Sequence, residues 1–485
     1  CTMNLKTILI IAGCSYIFPA TAQERTMELS LDETVKLAKL QSPDAQTARH
    51  SFRSAYWNYK YYRANYLPAL SLTSDPNLNR AINKVTLGDG TVKFVEQNML
   101  STDLTLNLTQ NIPWTGGSLF VETAAQRMDI FSDHTTAWQT SPINIGYRQS
   151  LFGYNSLKWD RRIEPVRYRE AKKSYVETLE LVATRATQKF FNLATAQTNY
   201  ANADTLYQYA QGRYNIGTIT ENEMLQLELN KLTEETNRMN ARIEMDNCMQ
   251  ELRSYLGIQS DEELKVKIND HVPDFSVELH EALLLANENS PEIQNMIRRK
   301  LESESNVSYA RANAGLKADI YLRFGLTQTA DKLGSAYKRP LDHQYVSLSV
   351  ALPILDWGRG KGKVRVARSN RDLVYTQVEQ DKTDFELNIR KLVKQFNLQA
   401  QRVRIAARTD ETAQRRSDVA RKLYLLGKST ILDLNASITE KDQARRNYIT
   451  ALYNYWSLYY TLRSLTLFDF EGKTPLTENY DLLID

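Results

Sequence analysis

The residues with the strongest claim to chemistry form a glycine-rich basic run, Gly358-Arg359-Gly360-Lys361-Gly362-Lys363, after an expected strand and before an expected helix. A phosphate loop sits at such a place, because glycines let backbone N–H groups close on an anion while a lysine neutralises it. The run lacks the four-residue gap between glycines and the hydroxyl after the lysine, so nucleotide binding is not expected. Arg359, Lys361, Lys363 and Arg365, with Lys158, Arg161 and Arg162 earlier, read either as a solvated helix face or as cations near lipid headgroups. The five histidines, at 50, 134, 271, 280 and 343, have no metal-ligand spacing. No Ser/His/Asp set or carboxylate pair suggests catalysis, and neither an enzymatic activity nor a cofactor is expected.

The elements that would carry these residues belong to a chain of 485 residues with a formal net charge of +4, which gives no reason to expect a nucleic-acid partner. A mean hydropathy of −0.49 and the lack of an 18-residue apolar run exclude a helical membrane protein. They do not exclude a membrane β-barrel, whose strands alternate apolar and polar residues. The 27 tyrosines suit either helix seams or an aromatic belt at a membrane interface. At the N-terminus, Lys6, the apolar run Ile8–Phe18 and Pro19-Ala20-Thr21-Ala22 have the pattern of a secretory signal peptide over 1–22, in preference to lipidation at Cys14.

Two stretches look like the tips of long helical hairpins, Tyr214-Asn-Ile-Gly217-Thr-Ile-Thr220 and Tyr424-Leu-Leu-Gly427-Lys-Ser-Thr430. Heptad spacing runs into the second through Phe385, Ile389, Leu392, Phe396, Val403 and Ala406, with Gln399 as a polar exception, and out of it through Tyr448, Leu452, Tyr455, Tyr459 and Leu462. In the first, Val176 to Tyr214 keep the same steps with polar breaks at Gln197, Asp204 and Gln211, and Leu225, Leu229, Leu232, Met239 and Ile243 line the return. Each descending helix of 60–70 residues would reach about 90–105 Å, far beyond any bilayer.

The chain is one unit written twice. LSLDETVKLAKLQSP at 29–43 recurs as VELHEALLLANENSP at 277–291, an offset of 248. Domains are expected at 23–256 and 277–465, with a linker at 257–276 and a tail at 466–485. In the second copy Ile320, Leu322, Phe324 and Leu326, then Val346, Leu348, Val350 and Leu352, alternate with polar residues, the mark of strands with one face in an apolar medium. The first copy has comparable strands at 66–73 and 142–152. By Ser150-Leu151-Phe152 against Pro353-Ile354-Leu355 the offset has fallen to 203, so the first copy holds 45 additional residues. These include an extra hairpin, 103–111 and 118–126 around Pro113-Trp-Thr-Gly-Gly117, expected either to enlarge the barrel or to stand outside it, the second being preferred. At the tips the offset is 210, so the second copy has gained one heptad, which keeps the seam in phase.

Two tandem copies, LPILDWGRG and QSLFGYN at strand-to-helix junctions, and two Tyr-x-x-Gly tips in order together resemble the TolC family of outer-membrane efflux and secretion channels. The resemblance covers essentially the whole mature chain. It implies an α+β membrane protein, a homotrimer in which each protomer gives four strands to a twelve-stranded outer-membrane barrel continued by a periplasmic coiled-coil tube. The implied function is passive conduction of small molecules or polypeptides from an inner-membrane transporter, through a periplasmic adaptor protein, across the outer membrane. The adaptor-contacting tips would be Ile216, Gly217 and Thr218 with Leu426, Gly427 and Lys428. The periplasmic aperture would be formed by Asp433, by Glu223 as its counterpart in the first copy, and by the latch tyrosine Tyr424. A second acid position of the family is Ala436 here, and a latch arginine position is Ser429. The other class compatible with heptads and a signal peptide is a coiled-coil structural or adhesive protein of the cell envelope. Such a scaffold has no use for alternating strands at matching places in both copies.

Overall fold

The computed structural model describes residues 26–86, 88, 90–132, 134–214, 221–259, 263–269, 272–426, 428–429 and 431–484. The expected signal peptide lies outside them, as do Ile216, Gly217, Thr218 and Gly427. The first half runs β1 (Thr26–Ser30), α1 (Leu31–Gln41), α2 (Pro43–Ala64), β2 (Ala69–Thr86), β3 (Val92–Ile112), β4 (Gly117–Ile130), β5 (Thr135–Ser150), α3 (Ser156–Tyr214) and α4 (Glu221–Leu256). The second runs β6 (Glu263–Lys267), α5 (Leu279–Asn289), α6 (Pro291–Ala314), β7 (Lys317–Ala330), α7 (Leu333–Ala336), β8 (Leu341–Ala351), α8 (Arg359–Leu425) and α9 (Ile431–Thr466). A short β9 (Phe468–Asp469) and β10 (Thr474–Pro475) and a 3₁₀ turn at Tyr480–Leu483 close the chain.

The Ser-Pro breaks make joints rather than ends. Ser42 closes α1 with its N–H to Ala38, caps α2 by accepting from the Ala45 N–H at 3.1 Å, and is followed by Pro43 at the first helical position. Ser290 and Pro291 do the same between α5 and α6. Ser30 and Glu33 form a reciprocal capping box at the start of α1.

The 67 residues of α8 give a rod of about 100 Å. Its seam against α9 buries Phe385, Ile389, Val393, Phe396, Ala400 and Val403 against Tyr448, Ile449, Leu452, Tyr455 and Tyr459. Val393 takes the core place expected of its neighbour Leu392. The polar exception Gln399 is buried and donates from Nε2 to the Ala451 carbonyl at 3.0 Å. The polar break Gln197 likewise serves docking: it donates to the Leu264 carbonyl at 2.8 Å and accepts from the Val266 N–H at 3.3 Å. This fixes β6, which pairs in parallel with β1, onto α3. Asp204 pairs with Arg238 across the first hairpin at 3.3 Å.

One sequence expectation is reversed on α4. Leu225, Leu229, Leu232, Met239 and Ile243 do not line the seam with α3; all five are more than half exposed. They form a heptad stripe on the far side of the helix, which the spacing alone cannot distinguish from a seam facing inward. The main core lies around α1, α3, α5, α8 and α9, where Lys39 and Arg463 converge on the buried Glu180 at 2.5 and 2.8 Å. Arg463 also reaches Asp469 at 3.0 Å, and the Tyr459 hydroxyl donates to the same carboxylate at 2.8 Å, which ties β9 to the helices.

The strands form one antiparallel sheet of six, in the order β2-β3-β4-β5-β7-β8. The expectation of four strands with the extra hairpin outside them is corrected: β3 and β4 are interior strands, hydrogen-bonded on both sides. They join because they share the alternation and register of their neighbours. The upper parts of β2 and β3 escaped the sequence reading because Asn77, Asn79, Arg80, Asn83 and Lys84 break the apolar alternation there.

Candidate functional site

The register puts the apolar residues of all six strands on one face. Leu70 and Leu72 lie opposite Leu108 and Leu106, Leu108 opposite Val121, Val121 opposite Ile145, and Ile145 opposite Phe324. Leu322 lies opposite Tyr147 and Val346, and Ile320 opposite Leu348. Directly opposed residues share a face of the pleat. Most of these side chains are exposed, Leu348 at 61% and Val346 at 66%, so the face is an apolar wall that nothing among the described residues covers. Among the described residues no helix is long and apolar enough to cross a membrane.

The opposite face is polar and carries a cluster that the sequence did not announce. Arg323 pairs with Glu122 at 2.5 Å across β5. Arg148 lies 5.4 Å from the ring centres of both Phe120 and Tyr321. Phe120 is buried because it lies over Gly146: a Cβ there would fall 2.1 Å from the Phe120 Cζ and 2.6 Å from the Leu322 carbonyl oxygen. Gly146 and Gly325 inside strand patterns were the available signal, since an interior glycine marks a close approach.

Where sheet meets helices the exposed residues change character. Trp114, Leu151, Phe152, Ile354, Leu355 and Trp357 are exposed at this level, and Arg359, Lys361, Lys363, Arg365, Lys158, Arg161 and Arg162 follow within a few residues, all exposed. Aromatic and apolar groups followed by cations suit the boundary between hydrocarbon and headgroups. The glycine-rich run binds its own anion: Asp356 accepts from the Gly358 N–H at 2.9 Å and the Gly360 N–H at 2.7 Å, capping α8. Gly360 admits no side chain, because a Cβ would stand 2.7 Å from the Ala314 carbonyl oxygen.

At the far end of α8 the Lys428 N–H bonds the Leu423 carbonyl at 2.9 Å, the closing bond of a Schellman stop. Leu426 and Lys428 are exposed and Tyr424 is half-buried in the last turn of α8. Asp433 is exposed in the first turn of α9, and the Ser429 hydroxyl donates to its carboxylate at 3.4 Å. Tyr424, Leu426, Lys428 and Asp433 thus gather within one turn region, together with Ser429. Glu223 falls in the first turn of α4, and its side chain lies outside what is described.

Residues 282–466 match a family model described as outer membrane efflux protein. No curated protein matches the chain. Among solved structures, the Campylobacter jejuni CmeC outer membrane channel superposes with a TM-score of 0.67 at 16% identity, covering 94% of this chain and 88% of that one. The Vibrio cholerae outer membrane protein VceC gives 0.60 at 14% identity over 90% and 95%. The open state of the Neisseria gonorrhoeae MtrE outer membrane channel gives 0.60 at 14% over 93% and 90%. Residues 282–466 thus resemble the outer membrane efflux proteins, and the chain as a whole has the fold of the solved outer-membrane channels.

Proposed function

We propose that the protein is an outer-membrane export channel, three copies of which enclose a pore that continues through the periplasm. The observation that carries this reading is the apolar wall on one face of the sheet, joined directly to helices about 100 Å long. The sheet suits a bilayer only if its open edges are paired, because hydrocarbon offers no water to unpaired backbone groups. Among the described residues, one chain supplies no partner for the outer edges of β2 and β8. The exposed heptad stripe of α4 asks for a partner helix in the same way, and a second copy supplies one. Leu387, Leu398, Ile405 and Val419 on α8 are exposed too. A non-transport scaffold of the envelope would need neither the apolar wall nor its junction band.

In this reading the tips at Leu426 and Lys428, with Ile216, Gly217, Thr218 and Gly427, meet a periplasmic adaptor protein that couples the channel to an inner-membrane transporter. Asp433, Glu223 and Tyr424 surround the periplasmic aperture. The test is purification from outer membranes in detergent, mass measurement and reconstitution into planar bilayers. A trimer that conducts supports the reading; a stable, non-conducting monomer sinks it.

A further inference from the structure

Resting on the trimeric channel reading, we propose that the outer-membrane barrel is closed by eighteen strands, six from each copy, instead of twelve. Its diameter is then about half again as large, since diameter grows in proportion to strand number. Four features carry the count. The inserted strands β3 and β4 are interior members of the ladder; the free edges belong to β2 and β8, the strands that a four-strand protomer would also present. The apolar wall continues across the insertion without a gap, through Leu104, Leu106 and Leu108 on β3 and Leu119 and Val121 on β4. A hairpin standing outside the barrel would expose those five side chains to water.

The lower turn of the insertion is also fastened on both sides. Asn155, at the start of α3, donates to the Pro113 carbonyl at 2.9 Å, and Gln149 of β5 donates to the Thr115 carbonyl at 2.9 Å. On the other side Asn111 and Gln110 donate to the carbonyls of Asn65 and Tyr66, at 2.9 and 3.0 Å, where α2 leads into β2. Gly116 (φ +78°) supplies the left-handed residue of the turn, and Gly117 stands where a Cβ would be 2.6 Å from the Arg148 carbonyl oxygen. A fastened turn belongs to a stave of the wall. Direction agrees as well: β2 leads away from the helices and β8 returns to them, so β8 of one copy meets β2 of the next antiparallel. Six strands keep that alternation around the ring.

With strands about 4.8 Å apart and tilted by about 40°, eighteen of them close at a diameter of about 36 Å, against about 24 Å for twelve. The barrel then ceases to be a constriction, and the periplasmic end alone limits the size of what passes.

The test is the distance between the three copies of one wall residue. A spin label on Ser349→Cys, in a chain whose Cys248 is replaced by Ala, should give a pulsed-resonance distance about 10 Å longer for eighteen strands than for twelve, the backbone separations being about 31 Å and about 21 Å and the inward reach of the label shortening both alike. The shorter distance in an assembled trimer overturns the eighteen-strand barrel and leaves the channel reading standing. No inter-copy distance at all overturns both. Should Ser349→Cys fail to assemble, Thr73→Cys on β2 reports the same separation. A fluorophore on Val121→Cys should in addition be quenched by brominated lipid, whereas quenching only by water-soluble iodide places β4 outside the wall.

Discussion

Arg463→Met tests what holds the central belt of the molecule together. The guanidinium is the common partner of two acids, Glu180 at 2.8 Å and Asp469 at 3.0 Å, and it also donates to the Tyr459 hydroxyl at 3.0 Å. The Glu180 side chain is only 3% exposed, so water cannot replace the lost donor. Removing one partner of a buried pair costs about 3–5 kcal/mol. Lys39 still holds one Glu180 oxygen at 2.5 Å, and the Tyr459 hydroxyl still serves Asp469, which places the expected loss near 3 kcal/mol. The second change Glu180→Leu removes the stranded charge, and Lys39, a quarter exposed, can turn to water. The double variant should therefore return to within about 1 kcal/mol of the parent, a coupling of at least about 2 kcal/mol and more by whatever Glu180→Leu costs alone. Urea unfolding in detergent, followed by helical circular dichroism, measures all three variants. A loss below about 1 kcal/mol in Arg463→Met, or a double variant that simply adds the two single losses, would refute the assignment.

Other outcomes follow from the same geometry. Leu322→Arg or Leu348→Arg places a charge on the apolar wall and should impair assembly of the proposed trimer by about 2–4 kcal/mol; normal assembly of both would mean that face is wrongly assigned. Burial, with Glu292 alongside, pushes the Glu177 carboxyl up to about 7, so the fold favours its protonated form. That contribution is complete below about pH 4.5 and is lost as pH rises through about 7, so Glu177→Gln should flatten the pH dependence and stabilise by about 2–3 kcal/mol at pH 8. Melting curves at pH 5 and pH 8 decide it; an unchanged slope counts against the mechanism. Three copies of Asp433 around one axis should attract cations, so Asp433→Ala should change single-channel conductance and cation preference. If neither changes, the carboxylate only complements the positive end of α9, worth about 0.3–1 kcal/mol.

Periodicity made the helical half of the molecule legible, because a seam repeating every 3.5 residues survives in sequence wherever helices run in parallel. It could not say which side of α4 faces inward, since Leu225 to Ile243 have the same spacing whether the partner is α3 or another chain. The apolar alternation of 320–326 and 346–352 identified the wall, but the placement of the extra hairpin depended on hydrogen-bond neighbours that no local pattern records. Glu180 lies far in sequence from Arg463 and Asp469 and meets them only when α9 packs on α3, so nothing local marks the three as a network. The Tyr-x-x-Gly pattern pointed to the turn between α8 and α9, and what the structure adds there is the contact between Ser429 and Asp433.

The two side-chain amides that anchor the middle of the molecule have a mechanical consequence. Gln197 fixes α3 to β6, and Asn397 fixes α8 by accepting from the Val277 N–H at 2.9 Å and donating to its carbonyl at 3.0 Å. Besides its return helix, α3 packs against α1, α2, α6 and α9, and α8 against α5 and α6; toward the tips, past Ala203 and Val403, few of the described side chains on α3 and α8 are buried. The arrangement works as a collet, a rigid collar with slender jaws beyond it. A lateral pull on the tips would bend the jaws and stop at the collar, so the strands of the sheet would not feel it. In the proposed channel, opening and closing could then repeat without loosening the seal between barrel and lipid.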